Sequence, residues 1–215
     1  MTGADPDTRL DGRAARSART RAAIVEALLD LNEDGELKPT AARIAERAGV
    51  SLRALWANFA DMETLFAAAG KRIAQRQRAE QRAIPADLPL HVRVARYCEQ
   101  RSRMLEIVAP AARAARLREP FSPQLMRNRL DSRDRSRREL VAVFGHDLAA
   151  AGRGADRLLD ALVMVSAWPA WAVLRDDLEL DVAQARDCLT RTVMALLAAA
   201  IGAGPGLTPE RPTSP

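Results

Sequence analysis

Two side chains in the stretch GVSLRALWANFADMETLF, Gly49 to Phe66, carry hydrogen-bonding groups of the kind that read an exposed base edge. Arg53 offers a guanidinium fork that matches the O6 and N7 acceptors of guanine, and Asn58 an amide that both donates and accepts. Earlier in the chain, Thr40 combines a hydroxyl with the free backbone N–H groups of a helix start, a combination that grips a phosphate. This is the chemistry of recognition rather than of bond making. His91 and His146 stand alone, and the chain carries no H-x-x-x-H, no G-x-S-x-G and no phosphate-cradling glycine loop. Cys98 and Cys188 are far apart without metal-ligand spacing and read as reduced thiols within helix packing. No catalytic residue, metal site or cofactor is therefore expected.

The elements that must hold Arg53 and Asn58 are legible from hydrophobic spacing and punctuation. Ile24, Ala27, Leu28 and Leu31 recur at i, i+3, i+4 and i+7, an apolar stripe on a helix that begins at Ser17 or Thr20 and ends near Gly35. Thr40 N-caps a second, short helix with Ile44, Ala45 and Ala48 on one side, and Gly49 stops it. Ser51 caps a third, whose buried positions are Leu55 and Phe59, and Asp61 caps a fourth whose apolar face begins at Leu65 and Phe66. Two short helices joined by a glycine-containing turn follow the helix-turn-helix plan. Packing Ile44, Ala45, Ala48, Val50, Leu55 and Phe59 against Ile24, Leu28 and Leu31 leaves Leu52, Arg53, Trp56, Ala57 and Asn58 on the outer face. With Thr40, Arg43 and Ser51, these form the expected DNA-contacting set.

The block TRAAIVEALLDLNEDGELKPTAARIAERAGVSLRALWANFADMETLF, Thr20 to Phe66, resembles the N-terminal DNA-binding domain of the TetR family of transcriptional regulators. Matching positions include Ile24, Gly35, Thr40, Ile44, Ala45, Ala48, Gly49, Val50, Ser51, Leu55, Phe59, Glu63 and Leu65. The resemblance implies a homodimer whose two heads sit in successive major grooves of double-stranded DNA. It also implies a C-terminal helical domain with the dimer interface and usually an inducer pocket. Family members commonly carry a hydroxyl residue, a tyrosine and a lysine where this chain has Ala54, Trp56 and Met62, all three tied to phosphate contacts. Trp56 retains an indole N–H donor, whereas Met62 brings no charge. Arg43, Arg47 and Lys71 are candidates to supply the missing contacts, as are Arg13, Arg16 and Arg19 by way of the minor groove.

Beyond Phe66 the punctuation is Pro85, Pro89, Pro110, Pro120, Pro123, the AGRGAD break at 151–156 and Pro205. Helical stretches fall near 90–108, 123–150, 156–175 and 181–201, with a shorter one near 111–118. The arginine-rich RNRLDSRDRSRREL, 127–140, is interleaved with acids and reads as a solvated helix face. In SAWPAWAVL, 166–174, Pro169 is expected to kink a helix. Trp168 and Trp171 beside it, with Met104, Phe121 and Met126, are the candidates for a ligand pocket; core filling is the alternative. Leu158, Leu162, Val165, Leu189, Val193 and Leu196 form stripes suited to a four-helix interface with a second subunit, and burial within one chain produces the same stripes.

Composition frames these readings. Aromatic residues make up only 4% and alanine, leucine and arginine dominate, so the expected class is all-α. Thirty-three basic against 28 acidic residues give a formal charge of +5, which permits a polyanionic partner without requiring one. The N-terminus lacks an apolar signal core and no stretch approaches roughly 18 unbroken apolar residues, so a cytoplasmic protein without a membrane partner is expected. The expected layout is a flexible basic arm at 1–17, a three-helix helix-turn-helix DNA-binding domain at 18–66, a helical ligand-binding and dimerisation domain at 67–204, and a disordered tail at 205–215. Such a chain would be a sequence-specific transcriptional regulator, a repressor released by a small apolar or amphiphilic inducer. The alternative is a helical small-molecule-binding or enzyme-like protein that keeps a head of weak DNA affinity.

Overall fold

The structure, a computed structural model, describes residues 6–202; the tail expected at 205–215 lies outside them. Its helices are α1 (Pro6–Glu33), α2 (Ala41–Arg47), α3 (Leu52–Asn58), α4 (Met62–Glu80), α5 (Leu90–Arg116), α6 (Pro123–Ala150), α7 (Ala155–Val165), α8 (Trp168–Ala172) and α9 (Val182–Gly202). No strand occurs among the described residues, and the class is all-α as expected. The chain divides into two compact units, Met1–Ala79 with Ile107–Leu130 and Glu80–Glu106 with Asp131–Pro215, so α5 and α6 each contribute one end to either unit.

The first unit is built on the α1 stripe. Ile24, Leu28 and Leu31 are buried with Ile44 of α2, Leu55 of α3, Phe59 and Leu65, and α1, α2 and α3 pack on one another pairwise. Each such side chain contributes about 1.5–3 kcal/mol by leaving water, which is why seven residues hold two helices of only two turns each. Both helix ends that glycine was expected to close do so in the same way. After α1, Glu36 N–H donates to Leu31 C=O at 2.9 Å and Gly35 N–H to Asn32 C=O at 3.1 Å; after α2, Val50 donates to Ala45 at 3.0 Å and Gly49 to Glu46 at 3.0 Å. This double closure needs a left-handed residue, and Gly35 and Gly49 sit at φ +87° and +66°.

The start of α1 differs from the sequence expectation. The helix begins at Pro6 rather than at Ser17 or Thr20, so residues 6–17 are a polar extension of α1 instead of a separate arm. Proline suits a first helical position, and the alanines and arginines that follow are strong helix formers, so propensity carries the helix beyond its apolar stripe.

The first unit also takes in the end of α5 and the start of α6. Glu63 at the start of α4 accepts from Ser122 Oγ at 2.6 Å and from the Gln124 N–H at 2.9 Å. Asn128 Nδ2 donates to the Phe66 carbonyl at 2.9 Å, over Gly70, where a Cβ would stand only 2.7 Å from the Asn128 amide. Arg118 donates to the Pro39 carbonyl at 3.1 Å, and its guanidinium lies 5.8 Å from the Phe66 ring centroid.

In the second unit, Tyr97, Phe144, Leu140, Leu162, Trp171 and Val193 are the centre of a continuous apolar core. Tyr97 and Phe144 meet edge-to-face at 5.4 Å, and Arg93 makes a buried two-point ion pair with Asp147. Two proline expectations need correction, one in the first-unit part of α5 and one in the second unit. Pro110 does not end a helix: α5 runs through it to Arg116, and burial of Leu105 and Ala109 before it and Ala114 after it holds the line despite the missing N–H. Pro169 does not kink a helix from within: the chain breaks at Ser166 and Ala167, and Pro169 stands in the first turn of α8, where no N–H is needed. The segments on either side of this break are bent by 46°. An internal kink does occur in α6, at Phe144, with φ −119° and ψ 15°.

Four of the residues read as a dimer stripe are already committed within the chain. Leu158 and Leu162 of α7 and Leu189 and Val193 of α9 are buried against this core, because α7 packs directly on α9. Val165 and Leu196 are half-buried. Burial within one chain accounts for Leu158, Leu162, Leu189 and Val193. Among the described residues no single helix is long and apolar enough to cross a membrane.

Candidate nucleic-acid interface

Helix α3 is fixed from within and presents its outer face freely. Ser51 Oγ accepts the Ala54 N–H at 3.1 Å, which closes the N-terminus, while buried Leu55 and Phe59 anchor the other side. Leu52 and Trp56 are 43% and 40% exposed, and Arg53 and Ala57 are exposed beside them. Arg53 and the Trp56 indole N–H have no hydrogen-bond partner among the described residues, so both donors are available. Thr40 Oγ1 accepts the Arg43 N–H at 3.2 Å and caps α2, which leaves its hydroxyl hydrogen and the other first-turn N–H groups for an anion.

Asn58 is not presented in the way its sequence position suggests. Its Nδ2 donates to the Ala54 carbonyl at 2.8 Å and its Oδ1 accepts from Ser17 Oγ at 3.3 Å, so the amide is turned toward its own helix and α1. Arg21 donates to the Asn58 carbonyl and places its guanidinium 4.1 Å from the Phe59 ring centroid. A cation at the end of α3 suits the negative end of the helix dipole, and its stacking adds a cation–π contact. Spacing along the chain could not show this, since Arg21 and Asn58 belong to different helices.

The basic residues divide into paired and unpaired. Arg43 bonds Glu46 at 2.9 Å and Glu36 at 3.3 Å, and these carboxylates, Glu46 foremost, raise its guanidinium above the ordinary value. Arg47 pairs with Asp34. These two cations are therefore partly neutralised by neighbouring acids. Arg16, Arg19, Lys38 and Lys71 are exposed and make no ion pair among the described residues; the Arg13 side chain lies outside them. Lys38, just ahead of the α2 cap, is one of only two lysines among 33 basic residues and stands outside the expected DNA-contacting set. Asp61 and Thr64 cap α4 reciprocally, at 2.7 and 3.1 Å, and the Thr64 hydrogen bonds hold the Asp61 carboxyl below its usual range. Met62, half-buried, packs against the head core and not outward as a phosphate-gripping lysine would.

Neither a family model nor a curated protein sequence matches the chain. Solved structures do. A transcriptional regulator from Rhodococcus sp. Rha1 superposes with a TM-score of 0.64 at 20% identity, covering 86% of this chain and 97% of that one. A protein named for the TetR family of transcriptional regulators, from Mesorhizobium loti MAFF303099, superposes with a TM-score of 0.56 at 18% identity, covering 86% and 98%. The chain has the fold of the TetR-family regulators. In this TetR-like fold α2 and α3 are the helix-turn-helix pair, and the match extends over both units rather than the head alone.

The residues considered for a ligand pocket are distributed differently from the expectation. Met104 and Trp171 are buried and Trp168 half-buried in the second unit, whereas Phe121, 87% exposed, and Met126, 45% exposed, belong to the first. Trp171 donates its indole N–H to Glu106 Oε1 at 2.6 Å, and Arg175 Nε reaches the same oxygen at 3.1 Å. Core filling describes Trp171. A shallow open groove in the second unit is lined by Ala95, Glu99, Arg186 and Thr190, none of them among the five.

Proposed function

We propose that this chain is a sequence-specific DNA-binding transcriptional regulator that acts as a homodimer. Residues 18–66 supply the reading head, and residues 67–204 supply dimerisation and ligand response. The observation that carries the reading is the outer face of α3. An unpaired Arg53 in its first turn and an exposed Trp56 one turn later project from a helix whose opposite side is pinned by Leu55. Such a face reads a major groove through Arg53, while Thr40, Trp56, Lys38 and Lys71 engage the backbone. The Rhodococcus and Mesorhizobium proteins of the same fold are named as transcriptional regulators, which supports the reading.

Repression with release by a small molecule is the regulatory scheme proposed. A ligand that binds one state of the protein more tightly than the other shifts the population toward that state. Release then follows from differential affinity for the two states. Selection of bound fragments from genomic DNA tests the proposal. Enrichment of a palindromic site supports it, and recovery of fragments without sequence preference, at low salt as well as high, rejects it.

A further inference from the structure

Helix α3 ends differently from the two helices before it. Whereas α1 and α2 close on left-handed glycines with paired backbone bonds, α3 runs out extended at Phe59, φ −133° and ψ 125°, where the Phe59 N–H donates to the Leu55 carbonyl at 3.0 Å. Its last carbonyls therefore need partners from elsewhere. One is met by α1: Arg21 donates to the Asn58 carbonyl and stacks its guanidinium 4.1 Å from the Phe59 ring centroid. Four residues earlier on the same face of α1, Ser17 Oγ donates to Asn58 Oδ1 at 3.3 Å, and Asn58 Nδ2 reaches back to the Ala54 carbonyl at 2.8 Å.

These bonds supply what the apolar core lacks. Buried Leu55 and Phe59 hold α3 to the head, but apolar contact carries no direction, and a helix of seven residues held in that way can roll about its axis. A roll of about 15° carries a side-chain tip about 6 Å from the axis through about 1.5 Å, enough to lose a two-point contact with a base. Hydrogen bonds to the carbonyl and the side chain of Asn58 oppose that roll. Arg21 is available for this duty, since it is exposed and makes no ion pair among the described residues. Exposed polar contacts of this kind add little to stability, and what they add is direction.

We infer that Arg21, assisted by Ser17, is a positioning residue for the reading helix: it fixes the rotation of α3 on α1, and thereby the aim of Arg53, without touching DNA itself. The inference rests on the DNA-binding reading for its consequence, while the tie between α1 and α3 is measured without DNA.

The test uses the full chain, a duplex carrying the selected operator, and the same duplex changed at the base pair where Arg53→Ala relaxes preference. Arg21→Met keeps an apolar stem over Phe59 and loses the donor; it should lower the ratio of the two affinities by about fivefold to tenfold, with the salt slope and the melting temperature nearly unchanged. In Arg53→Ala the same substitution should change the ratio no further, because Arg21 acts through Arg53. Arg21→Lys, which keeps a donor for the carbonyl, should recover part of the ratio. A salt slope lower by about 1 with equal loss for all sequences would make Arg21 a phosphate contact, and a lower melting temperature with the ratio unchanged would make it a stabilising residue only; either overturns the inference. Should Arg21→Met fail to fold, Ser17→Ala should lower the ratio by a smaller factor, and an unchanged ratio there overturns the inference as well. Without DNA, amide exchange at residues 56–59 should quicken in Arg21→Met relative to α2. Unchanged exchange would reject the tie even where the operator is read, whereas quickened exchange in a chain that prefers no sequence would uphold the tie and reject the regulator reading.

Discussion

Glu63 Oε1 lies 2.6 Å from Ser122 Oγ, and Glu63 Oε2 takes the Gln124 N–H at 2.9 Å, so the second residue of α4 closes the first turn of α6. Ser122 completes the cap by accepting the Leu125 N–H at 3.1 Å. The carboxylate thus stands at the positive end of the α6 dipole. Glu63→Ala leaves a hydroxyl and an N–H without their acceptor, and the expected loss is about 1–2 kcal/mol. Chemical unfolding measures it, and Glu63→Gln, which keeps one acceptor oxygen, should lose less.

Gly70 and Asn128 make a second contact between α4 and α6. A Cβ at Gly70 would fall 2.7 Å from the Asn128 amide, which is held by bonds to Phe66 and Gln124 at 2.9 Å each. Gly70→Ala must displace that amide and should destabilise by about 1–3 kcal/mol. In Asn128→Ala the same change should be nearly neutral. A double-mutant cycle therefore shows strong coupling, and additivity would contradict the contact.

On the α3 face, Arg53→Ala should weaken binding to a selected operator by about 1–3 kcal/mol and relax preference at one base position, with melting temperature unchanged. Arg43→Ala should weaken it much less, since that guanidinium is already held by Glu46 and Glu36. Lys71→Ala and Lys38→Ala should reduce affinity for all sequences alike, and each should lower the salt slope by about 1 if its ammonium neutralises one phosphate. Fluorescence anisotropy over a salt series separates the three behaviours.

Alkaline stability should report on Tyr97. The phenol ionises near 10.0 when unperturbed and at about 12 in the fold, so between these values the unfolded chain releases a proton that the folded chain keeps. The contribution is complete below pH 10 and is lost as pH rises toward 12, an effect of up to about 2–3 kcal/mol. Cys98, pushed from 9.0 to about 11 by burial, acts with the same sign from a lower pH. Tyr97→Phe should flatten the upper part of the urea-midpoint profile and leave the Cys98 part in place.

Trp171 distinguishes a packed core from an open pocket. It is 1% exposed and its indole N–H is engaged by Glu106, so Trp171→Ala should destabilise by about 3–5 kcal/mol. A loss below about 1 kcal/mol would instead be the mark of a side chain that lines empty space.

The amino-acid sequence by itself determined the helical class, the α1 stripe, the caps Thr40, Ser51 and Asp61, the glycine closures at Gly35 and Gly49, and the buried pair Leu55 and Phe59. Each of these depends on residues within one or two turns of one another, where periodicity and capping act directly. Tertiary structure alone decided which polar groups are available. Asn58 is engaged by Ser17, Arg43 partly by Glu36, and Glu63 by Ser122, while Arg53 is left unpaired. It also carried α5 through Pro110, assigned Leu162 and Val193 to the chain's own core, and enclosed Tyr97 with Arg101 and Ser166. The physical reason is that a side chain's partner across the fold is chosen by which helix faces pack together. That choice depends on contacts between residues tens of positions apart, which no local spacing records.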